Sequence, residues 1–185
     1  MALIDNELWS RIHAKDESAL AELYDNFSSA MFSLSYQILN DQWESEEVIQ
    51  DIFSYIWRKP EAFSPQKGKF SSWLLVLTRN RSIDRYRSRK RRVYSSESDE
   101  ILTTRDDPTQ IDSADQAVKS DEFSNLREAF SRIPPDQQKV LELSYFKGMN
   151  HVEISEHLDL SLGTVKSRIR LGVEKLRHHL STLRA

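Results

Sequence analysis

The sequence predicts an all-α protein made of two small helical domains, 1–93 and 123–185, joined by a flexible acidic linker at 94–122. Three observations favour this fold class. The 185 residues include only 4 Gly and 5 Pro, whereas sheets with tight turns need more of both. Apolar residues recur at helical spacing on both sides of the linker. Segment 94–122 lacks that spacing and carries nine acidic residues against two basic ones, which is typical of a linker.

The composition excludes several classes of protein. Because the chain has no cysteine, it can form neither a disulfide framework nor a thiolate metal site. No apolar run approaches the roughly 20 residues that a membrane-spanning helix needs. The acidic N-terminus, MALIDNE, lacks the layout of a signal peptide. We therefore expect a cytoplasmic protein that is not itself a membrane protein.

Helical spacing predicts two helices in about the first 60 residues of the first domain. Asp16 is placed to cap the first, whose apolar positions extend from Leu20 to Ile38. Asn40-Asp41 interrupts the pattern, and a second helix covers the apolar positions from Val48 to Ile56.

A loop and a third helix complete this domain. The loop at 58–70 contains two prolines and one glycine, which stop a helix. Ser71 is predicted to cap the helix that follows. Its buried side is predicted to comprise Trp73, Leu74, Val76, Leu77 and Ile83.

The second domain is predicted to hold four helices. The first covers 123–133 and is broken by Pro134-Pro135, which open the next. That helix extends to Phe146, and Gly148 follows as a natural stop. Two further helices are then separated by about four residues, which is typical of a helix-turn-helix.

The last helix has the pattern of a DNA-reading helix. Ser161 is predicted to cap it, and its first turn up to Thr164 offers backbone N–H groups to a phosphate. Four apolar positions at i, i+4, i+8 and i+11 are predicted to face inward: Val165, Ile169, Val173 and Leu176. Lys166, Ser167 and Arg170 then share the outer face, where such side chains bind base edges and phosphates.

Charge is sorted along the chain. Segment 79–92 holds eight basic residues and one acidic residue, and 166–184 holds six and one. The net charge of −3 therefore hides islands of +7 and +5 in a remainder that carries −15. Two basic islands indicate two contacts with a polyanion, although either one alone is also compatible with a solvated helix face.

The first island combines side chains that can bind nucleic acid. Asn80, Asp84 and Arg87 recur at helical spacing, and Arg81 and Arg85 lie beside them. Asn and Asp can hydrogen-bond base edges, while arginines bind phosphates.

Upstream of this island, the helix near 44–51 carries an acidic face. From the residues alone, that face is either solvated or meets a basic protein partner.

Three motifs resemble those of bacterial ECF-type (extracytoplasmic function) sigma factors, and they occur in that family's order. Residues 45–53, SEEVIQDIF, resemble region 2.2. Residues 73–92, WLLVLTRNRSIDRYRSRKRR, resemble regions 2.3–2.4, and residues 154–170, ISEHLDLSLGTVKSRIR, resemble region 4.2. The resemblance covers nearly the whole chain.

The resemblance implies a sigma region 2 bundle, a sigma region 4 helix-turn-helix and a mechanism without catalysis. Region 2 would bind the β′ clamp helices of core RNA polymerase and recognise the opened −10 element, while region 4 would meet the β flap and the −35 element. An anti-sigma factor is a further implied partner, and no metal or cofactor is expected. The implied polymerase contacts are Glu46, Glu47, Gln50, Asp51 and Phe53.

The resemblance also implies DNA contacts in both domains. In region 2, a flipped base would be received by a loop with Phe63, Lys67, Lys69 and Phe70, and the −10 contacts would be Asn80, Arg81, Asp84, Arg85 and Arg87. In region 4, the −35 contacts would be Ser161, Thr164, Lys166, Ser167, Arg168, Arg170 and Arg177. Arg168 and Arg177 would hold phosphates.

One position departs from the family pattern. Asp159 lies at the turn of the helix-turn-helix, where the family commonly has glycine. That turn often requires a positive φ, which aspartate tolerates less well than glycine.

Two other functions compete with this interpretation. A stand-alone repressor would need a dimer interface and would leave 41–92 without a role. An enzyme is disfavoured because none of the five histidines lies in a catalytic or metal-binding motif. We also consider that the acidic linker, at −7, folds back onto the +7 island and weakens DNA binding by the free protein.

Overall fold

The computed structural model describes residues 2–96 and 128–183. The chain divides into two compact units, Met1–Ala117 and Val118–Ala185. Within the described ranges the regular structure is entirely helical, which confirms the predicted all-α class. The predicted linker lies outside the described residues except for its first three positions, which continue a helix. Its proposed fold-back onto the basic island therefore also lies outside them.

Four helices build the first unit. They are α1 (Ala2–His13), α2 (Glu17–Leu39), α3 (Gln42–Arg58) and α4 (Phe70–Ser96). The cap predicted at Asp16 is confirmed, because its carboxylate accepts a hydrogen bond from the backbone N–H of Ser18 at 2.9 Å. A hydrogen bond from the Ser18 hydroxyl and the hydrogen-bonded ion pair with Arg11 lower the pKa of Asp16 to about 2, and the backbone N–H of Ser18 contributes less. Asp41 caps α3 in the same way, through the N–H of Glu44.

The loop between α3 and α4 is made of two short 3₁₀ turns, Pro60–Ala62 and Pro65–Lys67. Gly68 follows with a φ of 142°, which an L side chain rarely adopts. The predicted cap at Ser71 is wrong, because the carbonyl of Lys69 already accepts from the N–H of Trp73. Helix α4 therefore begins at Phe70, and Ser71 lies inside its first turn.

The core of the first unit lies where the four helices and the loop meet. Leu74 and Ile83 are buried as predicted, but Val76 is 53% exposed, so that part of the prediction is wrong. Small polar residues bring α2 and α4 close together: the buried hydroxyls of Ser35 and Ser82 lie 3.0 Å apart. The main buried side chains are Leu8, Ile12, Leu23, Met31, Leu39, Val48, Ile49, Ile52, Ile56, Phe63, Phe70 and Leu74.

Three helices dominate the described part of the second unit. They are α5 (Pro135–Tyr145), α6 (His151–Leu158) and α7 (Leu162–Leu183). A helix was predicted at 123–133. Residues 128–131 form one helical turn, and 123–127 lie outside the described residues. Asn150 and Glu153 form a reciprocal capping box at the start of α6. The core consists of Val140, Leu143, Ile154 and Val165.

A glycine permits the close packing of α5 on α7. A Cβ atom on Gly172 would lie 2.8 Å from Cδ1 of Leu141, which is closer than van der Waals contact allows. Glycine therefore costs some helix propensity here but removes a steric clash. The contact holds the middle of α7 against α5.

The turn between α6 and α7 contains the aspartate that departs from the family pattern. Asp159 adopts φ 50° and ψ 49°, the left-handed conformation, and it ends α6 as its C-cap. The requirement for a positive φ is thus met by a residue other than glycine. Its carboxylate also lies at the negative end of the α6 dipole, where a negative charge is unfavourable.

We predict that Asp159→Gly stabilises the second unit by about 0.5–1 kcal/mol. The substitution relieves left-handed strain and removes an unfavourable charge, although glycine loses more backbone entropy on folding. Hydrogen exchange of α6 and α7 amides in the full chain would measure the change. Asp159→Asn removes the charge alone and should give a smaller gain. Unchanged or weaker protection in Asp159→Gly would contradict the account.

Candidate polymerase and nucleic-acid interfaces

The outer face of α3 carries the predicted polymerase contacts. Because α3 buries its apolar side, Glu47, Gln50 and Asp51 are left exposed. Glu46 is half-buried and accepts a hydrogen bond from the side-chain amide of Gln42 at 2.9 Å. Phe53 is also half-buried, with its ring 5.3 Å from that of Tyr24 on α2. The structure therefore places all five predicted residues on this helix at least partly within reach of a partner.

Trp43 lies at the N-terminal end of the same face and was not identified from the sequence. Its side chain is 80% exposed, the highest value among the exposed large apolar residues. Trp43 precedes Gln50 by seven residues, or two helical turns. Helical register alone could therefore have placed it on the outer face.

Helix α4 presents the predicted base-reading residues together. Asn80, Asp84 and Arg87 are all exposed and lie four and three residues apart, on one face. The guanidinium of Arg81 lies 5.4 Å from the ring centre of Tyr55 on α3. This part of α4 thus offers amide, carboxylate and guanidinium groups on one surface.

Two arginines of the first basic island are held by α3. Arg89 contacts Glu44 at 3.0 Å and also donates to the carbonyl of Leu39 at 3.0 Å. Arg85 pairs with Glu47 and lies 3.9 Å from Glu44. We call these contacts the α3–α4 ion-pair seam. Glu47 and Arg85, which were predicted to serve different partners, therefore contact each other.

A cleft of about 370 Å³ lies beside this seam. Its lining mixes both charges, because three arginines and two aspartates contribute to it. Asp51 and Asp84, predicted for polymerase and for DNA, face the same cleft. The lining comprises Val48, Asp51, Tyr55, Arg58, Arg81, Asp84, Arg85 and Ser88.

The aromatic residues of the 60–72 loop do not line an open pocket. Phe63 and Phe70 are buried and pack edge to face, with ring centres 5.2 Å apart. Trp73 and Trp9 complete this cluster. Neither phenylalanine has surface to offer a flipped base, so the expected role of both as pocket walls is corrected to support of the loop. Lys67 and Lys69 are exposed on it.

The start of α7 has the geometry predicted for a DNA-reading helix. The hydroxyl of Ser161 accepts from the N–H of Thr164 at 3.1 Å, which confirms the cap. Val165 is buried, while Lys166, Ser167 and Arg170 are exposed. Three polar side chains that share one face are therefore accessible at the N-terminal half of this helix.

Two other predictions for α7 need revision. Arg168 pairs with Asp136 of α5 at 3.1 Å, and its side chain is only 29% exposed, so it helps hold α7 on α5. Val173 was predicted to face inward, but it is 39% exposed. Arg177 is exposed as expected.

The described ranges contain no group of three or more His, Cys, Asp or Glu side chains arranged to hold a metal ion. Over the same ranges, no helix has the length and apolar character to cross a membrane.

Comparisons with known proteins match both units. Residues 23–92 match the family model Sigma-70 region 2, and residues 123–176 match Sigma-70, region 4. The ECF RNA polymerase sigma factor SigK of Mycobacterium tuberculosis (strain ATCC 25618 / H37Rv) is 32% identical over 173 residues, covering 94% of this chain and 91% of its own. SigK of Mycobacterium sp. (strain KMS) is 31% identical over 94% and 89% of the two chains.

Two solved structures are similar over most of the chain. Rhodobacter sphaeroides SigE in complex with the anti-sigma ChrR is 27% identical, with a TM-score of 0.46, and covers 94% of this chain and 96% of its own. CnrH in complex with the cytosolic domain of CnrY is 20% identical, with a TM-score of 0.45, over 96% and 97%.

The chain belongs to the ECF RNA polymerase sigma factors. It directs promoter-specific transcription by RNA polymerase, and it is an initiation factor and not an enzyme.

We predict that Arg89→Ala lowers the free energy of unfolding of the first unit by about 1–2 kcal/mol, because it removes two hydrogen bonds that include an ion pair. Native-state hydrogen exchange of α2 to α4 amides would measure the loss. Arg91→Ala is the matched control, since Arg91 is exposed on the same helix, and it should change protection by less than about 0.5 kcal/mol. Equal effects of the two substitutions would mean that the seam does not stabilise the unit.

Proposed function

We propose that residues 1–93 of this sigma factor bind core polymerase and the −10 element, that 123–185 bind the −35 element, and that 94–122 span the distance between the two sites. The observation that carries the DNA-binding assignment is the exposed trio Lys166, Ser167 and Arg170 on a capped helix whose opposite side holds the core. We place the protein in the cytoplasm, where its polymerase and promoter DNA are.

The polymerase surface is assigned to the outer face of α3. Glu47, Gln50 and Asp51 are exposed there, and Glu46 and Phe53 flank them. Segment 42–57 contains four acidic residues and no lysine or arginine. Such a surface attracts a basic partner, which is the role assigned to the clamp helices of the β′ subunit. The β flap is assigned to the second unit.

The −10 surface is assigned to α4 and the preceding loop. Asn80, Asp84 and Arg87 hydrogen-bond bases of the opened strand, because amide, carboxylate and guanidinium groups match base edges. Arg81 and Arg85 neutralise phosphates, as do the exposed Lys67 and Lys69. Phe70 is not retained, since it is buried. Arg85 must exchange Glu47 for a phosphate, which lowers its net contribution to DNA affinity.

The −35 surface is assigned to the N-terminal half of α7. Lys166, Ser167 and Arg170 contact base edges or phosphates in the major groove. Ser161 and Thr164 flank the first turn of the helix, whose N–H groups at Leu162 and Gly163 are assigned to a phosphate. Arg177 holds a phosphate farther along. Arg168 contributes less than the other cations, because Asp136 already neutralises it.

An anti-sigma factor is proposed as the regulatory partner. Sigma factors similar to this chain have been crystallised with such inhibitors, as in the SigE–ChrR complex. The exposed charged faces of α3, α4 and α7 support this proposal, because an anti-sigma factor with groups of opposite charge could cover them.

We predict that Gln50→Lys combined with Asp51→Lys abolishes co-elution with core RNA polymerase on size exclusion. Two new positive charges on the outer face of α3 would repel a basic partner. Both positions are exposed, so the fold should be retained and circular dichroism should be unchanged. Glu156→Lys, an exposed position on α6, is the charge control and should co-elute. Retained co-elution of the double variant would move the interface off α3.

We predict that Arg170→Ala relaxes sequence preference at one −35 position, costing about 1–3 kcal/mol there, whereas Arg177→Ala weakens binding evenly across promoters. Run-off transcription from fragmented genomic DNA with core polymerase, read by RNA sequencing, separates these outcomes. Arg177→Ala should also reduce the salt dependence of binding by about one phosphate contact. A uniform loss for Arg170→Ala would assign that residue to the phosphate backbone.

A further inference from the structure

Trp43 is the most exposed large apolar side chain among those described, at 80%. It occupies the second position of α3, after the cap Asp41 and Gln42. The other large apolar residues of this helix point inward or are half-buried, and Val48, Ile52 and Ile56 are nearly inaccessible to solvent. Trp43 therefore departs from the amphipathic pattern that organises the rest of the helix.

Exposure of an indole is costly in water, because it leaves a large apolar surface hydrated. A tryptophan that breaks the pattern in this way is the residue type most enriched among the few side chains that dominate the affinity of interfaces. A single exposed leucine would carry no such implication.

The surroundings of Trp43 define the chemistry of its partner. Glu46 and Glu47 follow it by one helical turn, and Gln50 follows by two. Gln42 hydrogen-bonds Glu46 and so orients one acid beside the indole. The pair formed by Tyr24 and Phe53 adds a second aromatic group at the other end of this face. The surface thus consists of carboxylates flanked by aromatic side chains at both ends.

We propose that Trp43 is an anchor residue for core RNA polymerase, and that it inserts into an apolar pocket bordered by basic side chains of the polymerase. This inference rests on the proposed function of the α3 face and extends it to a residue outside the region 2.2 motif. Trp43 and the acids would contribute differently: the acids attract the partner, and burial of the indole holds it.

Charge complementarity favours polymerase over other occupants. The chain's own 94–122 segment carries a net charge of −7, so the acidic face would repel it. A second copy of the chain would have to offer one of its two basic islands. Two arginines of the α4 island are already paired with Glu44 and Glu47, and two arginines of α7 are paired with Asp136 and Glu174.

The experiment measures binding of full-length protein to purified core RNA polymerase by fluorescence anisotropy. Because the chain has no cysteine, one cysteine appended after Ala185 allows labelling at a single site. Trp43→Ala and Trp43→Gln are compared with Trp43→Phe, which keeps an aromatic ring. Val76→Ala is the matched control, since Val76 is an exposed apolar residue of the same unit.

We expect Trp43→Ala and Trp43→Gln to weaken binding by about tenfold or more, Trp43→Phe to weaken it less, and Val76→Ala to leave it unchanged. The Trp43 effect should persist when NaCl is raised from about 0.1 M to about 0.5 M, because apolar burial is not screened. The effect of Glu47→Gln should shrink over the same range.

Three results would overturn the proposal while the proposed function stands. Wild-type protein could bind core polymerase and Trp43→Ala could bind equally well. The Trp43 effect could vanish at high salt, which would make it electrostatic. Alternatively, Trp43→Ala could abolish self-association seen by sedimentation without changing polymerase affinity. Failure of wild-type protein to bind core polymerase would instead refute the assigned function of the α3 face, and unchanged circular dichroism of each variant excludes misfolding.

Discussion

The packing of α3 against α4 is the constraint on which the first unit depends. Each helix buries one side in the common core, so the two charged sides are forced to lie next to each other. Opposite charges at that junction form the α3–α4 ion-pair seam through Glu44, Glu47, Arg85 and Arg89. Because these pairs are partly exposed, each contributes modestly to stability. Their larger consequence is to determine which charges remain for partners.

Contacts between two helices also determine which charges are accessible in the second unit. Its core is small, so the orientation of α7 depends on a few contacts with α5: the close approach at Gly172 and the ion pair of Arg168 with Asp136. These contacts keep Lys166, Ser167 and Arg170 on the accessible side. An arginine used in this way stabilises the helix to which the −35 contacts are assigned, and it is less available to a phosphate.

Much of this arrangement could be predicted from the sequence, because helical periodicity and capping are local properties. Asp16 and Ser161 cap helices as expected, and the exposed trio on α7 follows from the positions of Val165 and Ile169. Tertiary contacts could not be read in this way. Nothing local distinguishes Arg168 from Arg170, since only the position of Asp136 in space separates them. The burial of Phe63 likewise depends on Trp9, which lies more than fifty residues earlier.

Charge sorting along the chain has a consequence for specificity. At physiological ionic strength the screening length is about 8 Å, so DNA farther away than this is hardly attracted by either basic island. The net charge of −3 adds no attraction. Only at contact does the phosphate backbone meet a basic island, and in the first unit two of its arginines are engaged by glutamates. Long-range attraction to arbitrary DNA is therefore weak, and tight association requires the short-range fit that a promoter provides. Acidic residues that do not touch DNA thereby add to selectivity, because they offset the attraction of the basic islands for phosphates.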